Sequence, residues 1–495
     1  MRYYLTTAIP YVNAKPHLGF VLEIIQTDAY KRFLKLREDE VYFVTGTDEN
    51  SLKNVISARE KNISPQELVD QNSRYFHDLK EVFNLSNDDF IRTTEERHKK
   101  GVVKLWKKVF DSGDIYKKEY EGLYCIGCEA FYKPEELING LCPEHKTKPE
   151  LIKEENYFFK LSNYQKELEK MIVSGKLKIV PEKRENEVLS FIRQGLEDFS
   201  ISRSRERAKD WGISVPNDDD QIVYVWFDAL INYITALDFC NEESELFEKW
   251  WNKSDKIIHF IGKGITRFHA IYWPAMLLSA KLRLPTTIFV HGYLTINGQK
   301  ISKSLGETID PFEISKKHNS DIIRYFLLRE ISPFEDGDFS EHRLKERYNS
   351  DLAQGIGNLV SRVLALGEQY GKQIMIQCSN SDLIAKSWNN YNKQMEEFRF
   401  NDALATIWSL VSYCDKYISD TKPWEKIDDE KEFQKILGEL IYTLGNIALM
   451  LSPVMPKTSE KILKSLKLQS ASKQNWLSQE VLLEKQSALF PKLDN

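Results

Sequence analysis

The sequence predicts an α/β fold whose parallel sheet is split along the chain, followed by an all-α bundle. Three observations carry that prediction. A β-α-β pattern fills the first part of the chain and returns in the stretch from Ile222 to His291. Between the two lies a Lys- and Glu-rich stretch of weaker periodicity that reads as an insertion. From Asn349 onward, apolar residues recur at helical spacing.

Tyr3 to Ala8 is a short β-prone run, and Pro10 to Pro16 is a turn. Leu18, Leu22, Ile25, Ala29, Phe33 and Leu36 then follow at three- and four-residue steps, which lines one face of a helix. Val41 to Thr45 is apolar throughout, as a strand in a sheet covered on both sides must be. After the insertion, Ile222–Phe227, Ile257–Gly262 and Thr287–His291 are further buried-strand candidates. An apolar helix, Phe268–Ala280, lies between the last two. In the C-terminal part, Leu352, Ile356, Leu359, Val363 and Leu366 form one stripe. Leu404, Ile407, Val411 and Cys414 form a second, and Leu437, Leu440, Leu444, Ile447 and Leu451 a third. Three such stripes predict an antiparallel helix bundle.

The 495 residues suggest about three domains at ~150 residues each. A composition of 42% hydrophobic and 29% charged residues excludes a disordered chain. No window has the ~18 uncharged apolar residues of a membrane span. The N-terminus, MRYYLTTAIPY, has no basic-then-apolar leader, so a cytoplasmic location is expected. A net charge of −5 excludes a basic coat that binds DNA non-specifically, while leaving room for a local basic face.

Cys125-x-x-Cys128 and Cys142-x-x-His145 are two short chelating pairs, with Gly127, Gly140 and Pro143 suited to tight turns. That spacing predicts one tetrahedral Zn²⁺. Four protein ligands fill the coordination shell, so such a zinc is structural. Cys240, Cys378 and Cys414 are expected in the core.

His17-Leu18-Gly19-Phe20 sits where the first turn becomes the first helix. A helix N-terminus offers N–H groups and positive dipole to phosphate, and His17 could donate to a developing phosphoryl charge. Gly298 to Gly306 places Lys300 and Lys303 among serines in a cationic loop after a buried strand. Its glycine spacing is not that of a Walker loop, but its lysines could neutralise a triphosphate.

The pair HLGF and KISKS resembles the two signatures of class I aminoacyl-tRNA synthetases. PYVNAKPHLGF, VTGTDEN, YCIGCEAFY with LCPEH, YVWFDALINY, HFIGKGITRFHAIYWPAML, FVHGYLTINGQKISKS and TKPWEK sharpen the resemblance to the methionyl-tRNA synthetase family, of the one-zinc bacterial type. The resemblance implies a split Rossmann-like catalytic domain at 1–113 and 221–310. It further implies a zinc-bearing connective insertion at 114–220, a stem-contact linker at 311–348 and an α-helical anticodon-binding domain at 349–495.

The implied reaction joins methionine to ATP-Mg²⁺, giving methionyl-adenylate and pyrophosphate, and then passes methionine to the 3′ end of tRNA-Met. By the resemblance, Asp48 holds the α-ammonium of methionine. Ile9, Tyr11, Trp226, Ala229, Leu230, Tyr233, Phe268, His269 and Trp273 surround the rest of the amino acid. Aromatic and aliphatic walls suit a polarisable thioether. His17, Lys300 and Lys303 serve the transferring phosphate, while Gly19, Gly262, His291, Gly292, Leu294 and Lys303 lie around ATP. Asn358, Arg362 and Trp424 read the anticodon, with Trp424 as a stacking platform. Cys125, Cys128, Cys142 and His145 hold the zinc.

Three positions depart from the family pattern. Phe20 replaces the second His of HIGH, Asn50 the His of TDEHG and Gly264 the Asp of GKD. Compensating contacts from Lys15, Glu49 or Asn50 are one way to keep activity, and slow activation is the other outcome. A non-catalytic paralogue that binds tRNA or methionine is therefore the competing reading. The synthetases with a long editing insertion are disfavoured because the inserted stretch leaves no room for one. A chain ending soon after the bundle, without a further dimerising domain, is expected to be a monomer.

Overall fold

The computed structural model describes residues 1–126, 130–144, 146–296, 299–300, 309–468 and 476–493. They divide into two compact units. Met1–Pro16, Glu40–Glu81 and Ser86–His291 make one, and His17–Asp39, Val82–Leu85 and Gly292–Asn495 the other.

The first unit is built on a six-stranded sheet. Its strands are β1 (Arg2–Thr7), β2 (Glu40–Thr47), β3 (Asp89–Arg92), β4 (Lys178–Val180), β5 (Lys256–Gly262) and β6 (Thr287–His291). They lie in the order β3-β2-β1-β5-β6-β4, and every pairing is parallel. The interior strands are almost wholly buried, which explains their unbroken apolar character. β1 pairs with β5, so the two halves of the sheet join at strands far apart in sequence.

The insertion folds as a four-stranded antiparallel sheet of Ala130–Tyr132, Ile115–Cys125, Glu150–Phe159 and Phe199–Ser200. Ile222–Phe227 is not a strand of the parallel sheet. Asp218–Val223 belongs to a small antiparallel ribbon, and Val225–Leu230 is a helix. The chain turns at Tyr224, whose N–H donates to Ile201 O at 2.8 Å and whose carbonyl accepts from Asp228 N–H at 3.0 Å. A helix here lets the Asp228 carboxylate reach both His98 and Asn50.

The second unit contains the helix Leu18–Leu36 and the C-terminal helices Asn358–Tyr370, Ser381–Glu396, Phe400–Thr421, Glu430–Leu451 and Pro456–Ser465. All three predicted stripes are buried. The C-terminal part is not helical throughout, however, because Ile374–Met375 pairs antiparallel with Glu480–Val481. Among the described residues, no helix is long and apolar enough to cross a membrane.

Inside the second unit, Arg324 is fully buried. It pairs with the buried Asp28 at 2.7 Å and donates to the carbonyls of Val454 at 2.8 Å and Pro453 at 2.9 Å. Arg32 also pairs with Asp28, at 2.8 Å, so losing Arg324 leaves the buried carboxylate with half of its compensation and two backbone carbonyls without their donor. Arg324→Met is therefore expected to destabilise the second unit by about 3–5 kcal/mol, read as a lower urea midpoint.

Candidate functional site

The site in the first unit starts where β1 and β2 end. Tyr11 and Asp48 form an isolated parallel bridge, and Asp48 N–H donates to Pro10 O at 2.9 Å. This places Asp48 and Tyr11 side by side beyond the carboxyl ends of the strands, where open α/β sheets bind ligands. Asp48 is 2% exposed, and the N–H of Asn50 donates to its Oδ1 at 3.3 Å.

Trp226, Ala229 and Leu230 come from the helix Val225–Leu230, and Tyr233 from the short helix that follows. The Trp226 ring lies flat against Phe268, with centroids 3.8 Å apart, and meets Tyr11 edge-on at 6.3 Å. Tyr233 is 6.0 Å from Trp273 between centroids. Ile9 packs against the same core. The structure thus links Tyr11 to Asp48, Trp226 and Phe268, and Tyr233 to His269 and Trp273.

The protons in this site can be assigned. His269 Nδ1 lies 2.9 Å from Ile265 O, a carbonyl that can only accept, so Nδ1 carries a hydrogen. Burial pulls the pKa of His269 down to about 4, so the ring is neutral. Its Nε2 therefore accepts from the Tyr233 hydroxyl, 2.6 Å away. The Tyr233 carbonyl accepts in turn from Tyr4 O–H at 2.7 Å.

A buried network that the sequence reading missed holds the Trp226 helix. Asp228 Oδ1 faces His98 Nε2 at 2.6 Å, and Asp228 Oδ2 accepts from Asn50 Nδ2 at 2.7 Å. His98 Nδ1 lies 2.7 Å from Thr235 Oγ1. Asp228 and His98 are fully buried. The conjunction of RTTEERH with WFD carried no local pattern that would have announced this pairing.

Each of the three residues offered as a compensating contact already has a partner within the protein. Asn50 is committed to Asp228 and also donates to Thr93 O at 3.3 Å. Glu49 is fully buried and paired twice with Arg92, at 2.7 and 3.1 Å, besides accepting from Thr94. Lys15 lies over the Tyr75 ring at 4.4 Å.

Gly262 and His291 are register partners at the ends of β5 and β6. In the second unit, a Cβ on Gly292 would sit 2.1 Å from Glu335 O, so only glycine fits there. Leu294 opens a short strand whose Thr295 pairs with Lys300. Lys303 lies outside the described residues. His17 caps the helix Leu18–Leu36, its Nδ1 accepting from Gly19 N–H at 3.1 Å. A neutral His17 ring therefore carries its proton on Nε2. A Cβ on Gly19 would lie 3.0 Å from that ring, which gives the glycine a reason distinct from phosphate approach.

Cys125 ends its strand and Cys142 opens a turn, and both are buried to 1% exposure in a largely exposed segment. Thr147 ties them together. Its carbonyl accepts from Cys142 N–H at 2.9 Å, and its hydroxyl lies 3.7 Å from Cys125 Sγ. Two thiols buried where apolar cover is scarce suit a soft metal. Cys128 and His145 lie outside the described residues. Among the described residues, no three metal-binding side chains cluster. Cys414 is buried as expected, but Cys240 and Cys378 are partly exposed, since each lies in a connection rather than inside a packed helix.

In the bundle, Asn358 is exposed at the start of its helix. Arg362, one turn later, pairs with Asp415 at 3.2 Å. Burial raises the Asp415 carboxyl, and Arg362 opposes that shift. Trp424 is 48% exposed, whereas its neighbour Pro423 is buried. The proline, and not the indole, anchors this turn.

Residues 3–148 and 132–364 match the family described as tRNA synthetases class I (M), and residues 383–493 match the anticodon-binding domain of tRNA ligase. The methionine–tRNA ligase of Caldanaerobacter subterraneus subsp. tengcongensis is 41% identical, over 99% of this chain and 79% of the relative. That of Brucella suis biovar 1 is 40% identical, over 96% of this chain and 93% of the relative. The chain belongs to the methionine–tRNA ligases. Among solved structures, Mycobacterium tuberculosis methionyl-tRNA synthetase in complex with methionyl-adenylate matches with a TM-score of 0.92 at 36% identity, covering 99% of both chains. The apo form of that enzyme matches with a TM-score of 0.85 at 35% identity, covering 100% of this chain and 98% of the other.

As a methionine–tRNA ligase, the chain has an unusual pH signature at His269. Its folded pKa of about 4 lies below the ordinary 6.5, so the unfolded state binds the extra proton first. This contribution to stability is complete above pH 6.5 and is lost as pH falls toward 4. His269→Gln is expected to lose ~3 kcal/mol less than wild type over that interval, read from urea midpoints at both ends.

Proposed function

We propose that this chain works as a methionine–tRNA ligase through the residues grouped above. Methionine is activated with ATP to methionyl-adenylate and pyrophosphate, and the methionyl group is then transferred to the 3′ end of tRNA-Met. The observation that carries the residue assignment is Asp48 held beside Tyr11, in a unit whose aromatic walls end in the neutral Tyr233–His269 pair.

Asp48 binds the α-ammonium, the one full charge the amino acid offers besides its reacting carboxylate. Trp226, Phe268, Tyr233 and Trp273, with Ile9, Tyr11, Ala229 and Leu230, take the side chain. His269 stays neutral, so no cation faces the thioether. A methionine carboxylate oxygen attacks the α-phosphorus, and the bond from that phosphorus to pyrophosphate oxygen breaks. No covalent enzyme intermediate is needed, and catalysis is positioning plus neutralisation of phosphoryl charge.

His17 donates from Nε2, and Lys303 with Lys300 balances the charge leaving on pyrophosphate, which travels with Mg²⁺. Gly262, His291, Gly19, Gly292 and Leu294 line the nucleotide. Cys125, Cys128, Cys142 and His145 hold one structural Zn²⁺ that supplies a cross-link in place of a core. Asn358, Arg362 and Trp424 read the anticodon, and the exposed indole favours stacking over an anchoring role.

Methionine-dependent ATP–pyrophosphate exchange tests the reading directly. Wild type is expected to exchange. Asp48→Ala should lower kcat/KM for methionine on the order of 100-fold while leaving zinc content intact, and retained activity would remove Asp48 from the site. Trp424→Ala should raise the KM for tRNA ~10-fold and spare exchange, and an unchanged aminoacylation rate at limiting tRNA would exclude it as a reader.

A further inference from the structure

Beneath the pocket lies a second imidazole to which the reaction gives no role. His259 is in β5, fully buried, and is the register partner of Thr6 in β1. Its two nitrogens face partners of opposite kind. The Trp273 indole can only donate, and its Nε1 lies 3.2 Å from His259 Nε2, so Nε2 accepts. Burial, with nearby His269, holds the His259 pKa well below the ordinary range, so the ring is neutral. Its one proton is then on Nδ1, 2.7 Å from Thr6 Oγ1. The flat of the same ring stacks on Tyr233, with centroids 4.2 Å apart and planes at 27°.

One neutral ring thus fixes two walls of the candidate methionine pocket by two different contacts. The stack holds the Tyr233 ring, whose hydroxyl is turned to His269. The acceptor at Nε2 ties up the only polar hydrogen of Trp273, so the indole presents an apolar surface to the side chain. We propose that His259 is a positioning residue for methionine selection, acting through Tyr233 and Trp273 without touching substrate. This rests on the assignment of those two residues to the methionine pocket.

A consequence follows for oxidised substrate. Methionine sulfoxide carries an oxygen that seeks a donor, and Trp273 has none to give while His259 accepts its N–H. Losing the acceptor would loosen the indole and leave a donor in the pocket wall. Selectivity for methionine over its sulfoxide should fall together with methionine affinity.

The test is steady-state exchange with methionine and with methionine sulfoxide, on wild type, His259→Phe, His259→Gln and Thr6→Val. His259→Phe keeps a flat ring but removes the acceptor, and is expected to raise the methionine KM ~10-fold with kcat and the ATP KM unchanged. The preference for methionine over sulfoxide should narrow in parallel. His259→Gln restores an acceptor near Nε2 and should recover most of the loss. Should His259→Phe not fold, Thr6→Val, which removes the partner of the Nδ1 proton, is expected to shift the methionine KM in the same direction. A ¹⁵N-histidine spectrum of wild type should show His259 protonated at Nδ1, and protonation at Nε2 would overturn the proposal. Wild-type exchange with methionine KM unchanged in the folded variants overturns it too, while leaving the ligase reading intact. Absence of exchange in wild type overturns both.

Discussion

A single buried carboxylate, that of Asp228, organises the side chains around Asp48 and Trp226. Asp228 has no access to water, so its carboxyl oxygens must find hydrogen-bond partners within the protein. His98 and Asn50 are those partners, and they come from opposite sides. His98 lies on the helix Glu96–Asp111, and Asn50 lies in the loop after β2. The geometry closes only if the chain after Tyr224 is helical. That helix then carries Trp226, Ala229 and Leu230 to one place. Asn50 reaches Asp48 through its backbone as well as Asp228 through its side chain, so Asp48 and the helix that carries Trp226 share one support. The asparagine that departs from the family pattern therefore has a full set of work inside the fold.

Around that support, the site separates charge from polarisability. Asp48 keeps the charge, while His259 and His269 stay neutral by burial. A thioether differs from a methylene by little more than polarisability, and a neighbouring cation would favour a different ligand. The residues we assign to the phosphate chemistry are a different set. His17, Gly292, Leu294 and Lys300 all belong to the second compact unit, together with the helices of the bundle.

The sequence made the fold legible wherever one force acted alone. The stripe from Leu18 to Leu36 and the apolar runs of β2, β5 and β6 needed only burial to explain them. Ile222–Phe227 misled because an apolar run cannot by itself distinguish a buried strand from a short buried helix. The steps from Trp226 to Ala229, Leu230 and Tyr233 were at helical spacing, and that was the better signal. The insertion hid its strands because consecutive charged residues, Lys117-Lys118-Glu119 and Lys153-Glu154-Glu155, break the apolar alternation of a half-buried strand. Motif resemblance marked Tyr233, His269 and Trp273, yet it gave no role to His259, the first residue of a matched motif, and His98 lay outside every motif. Their partners, Asp228 and Thr6, are distant in sequence and carry no spacing rule. Glu49 looked available to substrate only because nothing local reveals that Arg92 holds it.

The path of the chain has a consequence for its synthesis. It passes from the first unit to the second at Pro16, returns at Glu40, makes a brief second visit at Val82–Leu85, and leaves finally at His291. β1 is made long before β5, one of its two neighbours, and Asp28 has Arg32 beside it but gains Arg324 only later. The nascent N-terminal segment thus carries an apolar strand edge, and a carboxylate met only by Arg32, until more than half of the chain has been made. Such a chain matures late and all at once, and its early strands are where chaperones would have the most to protect.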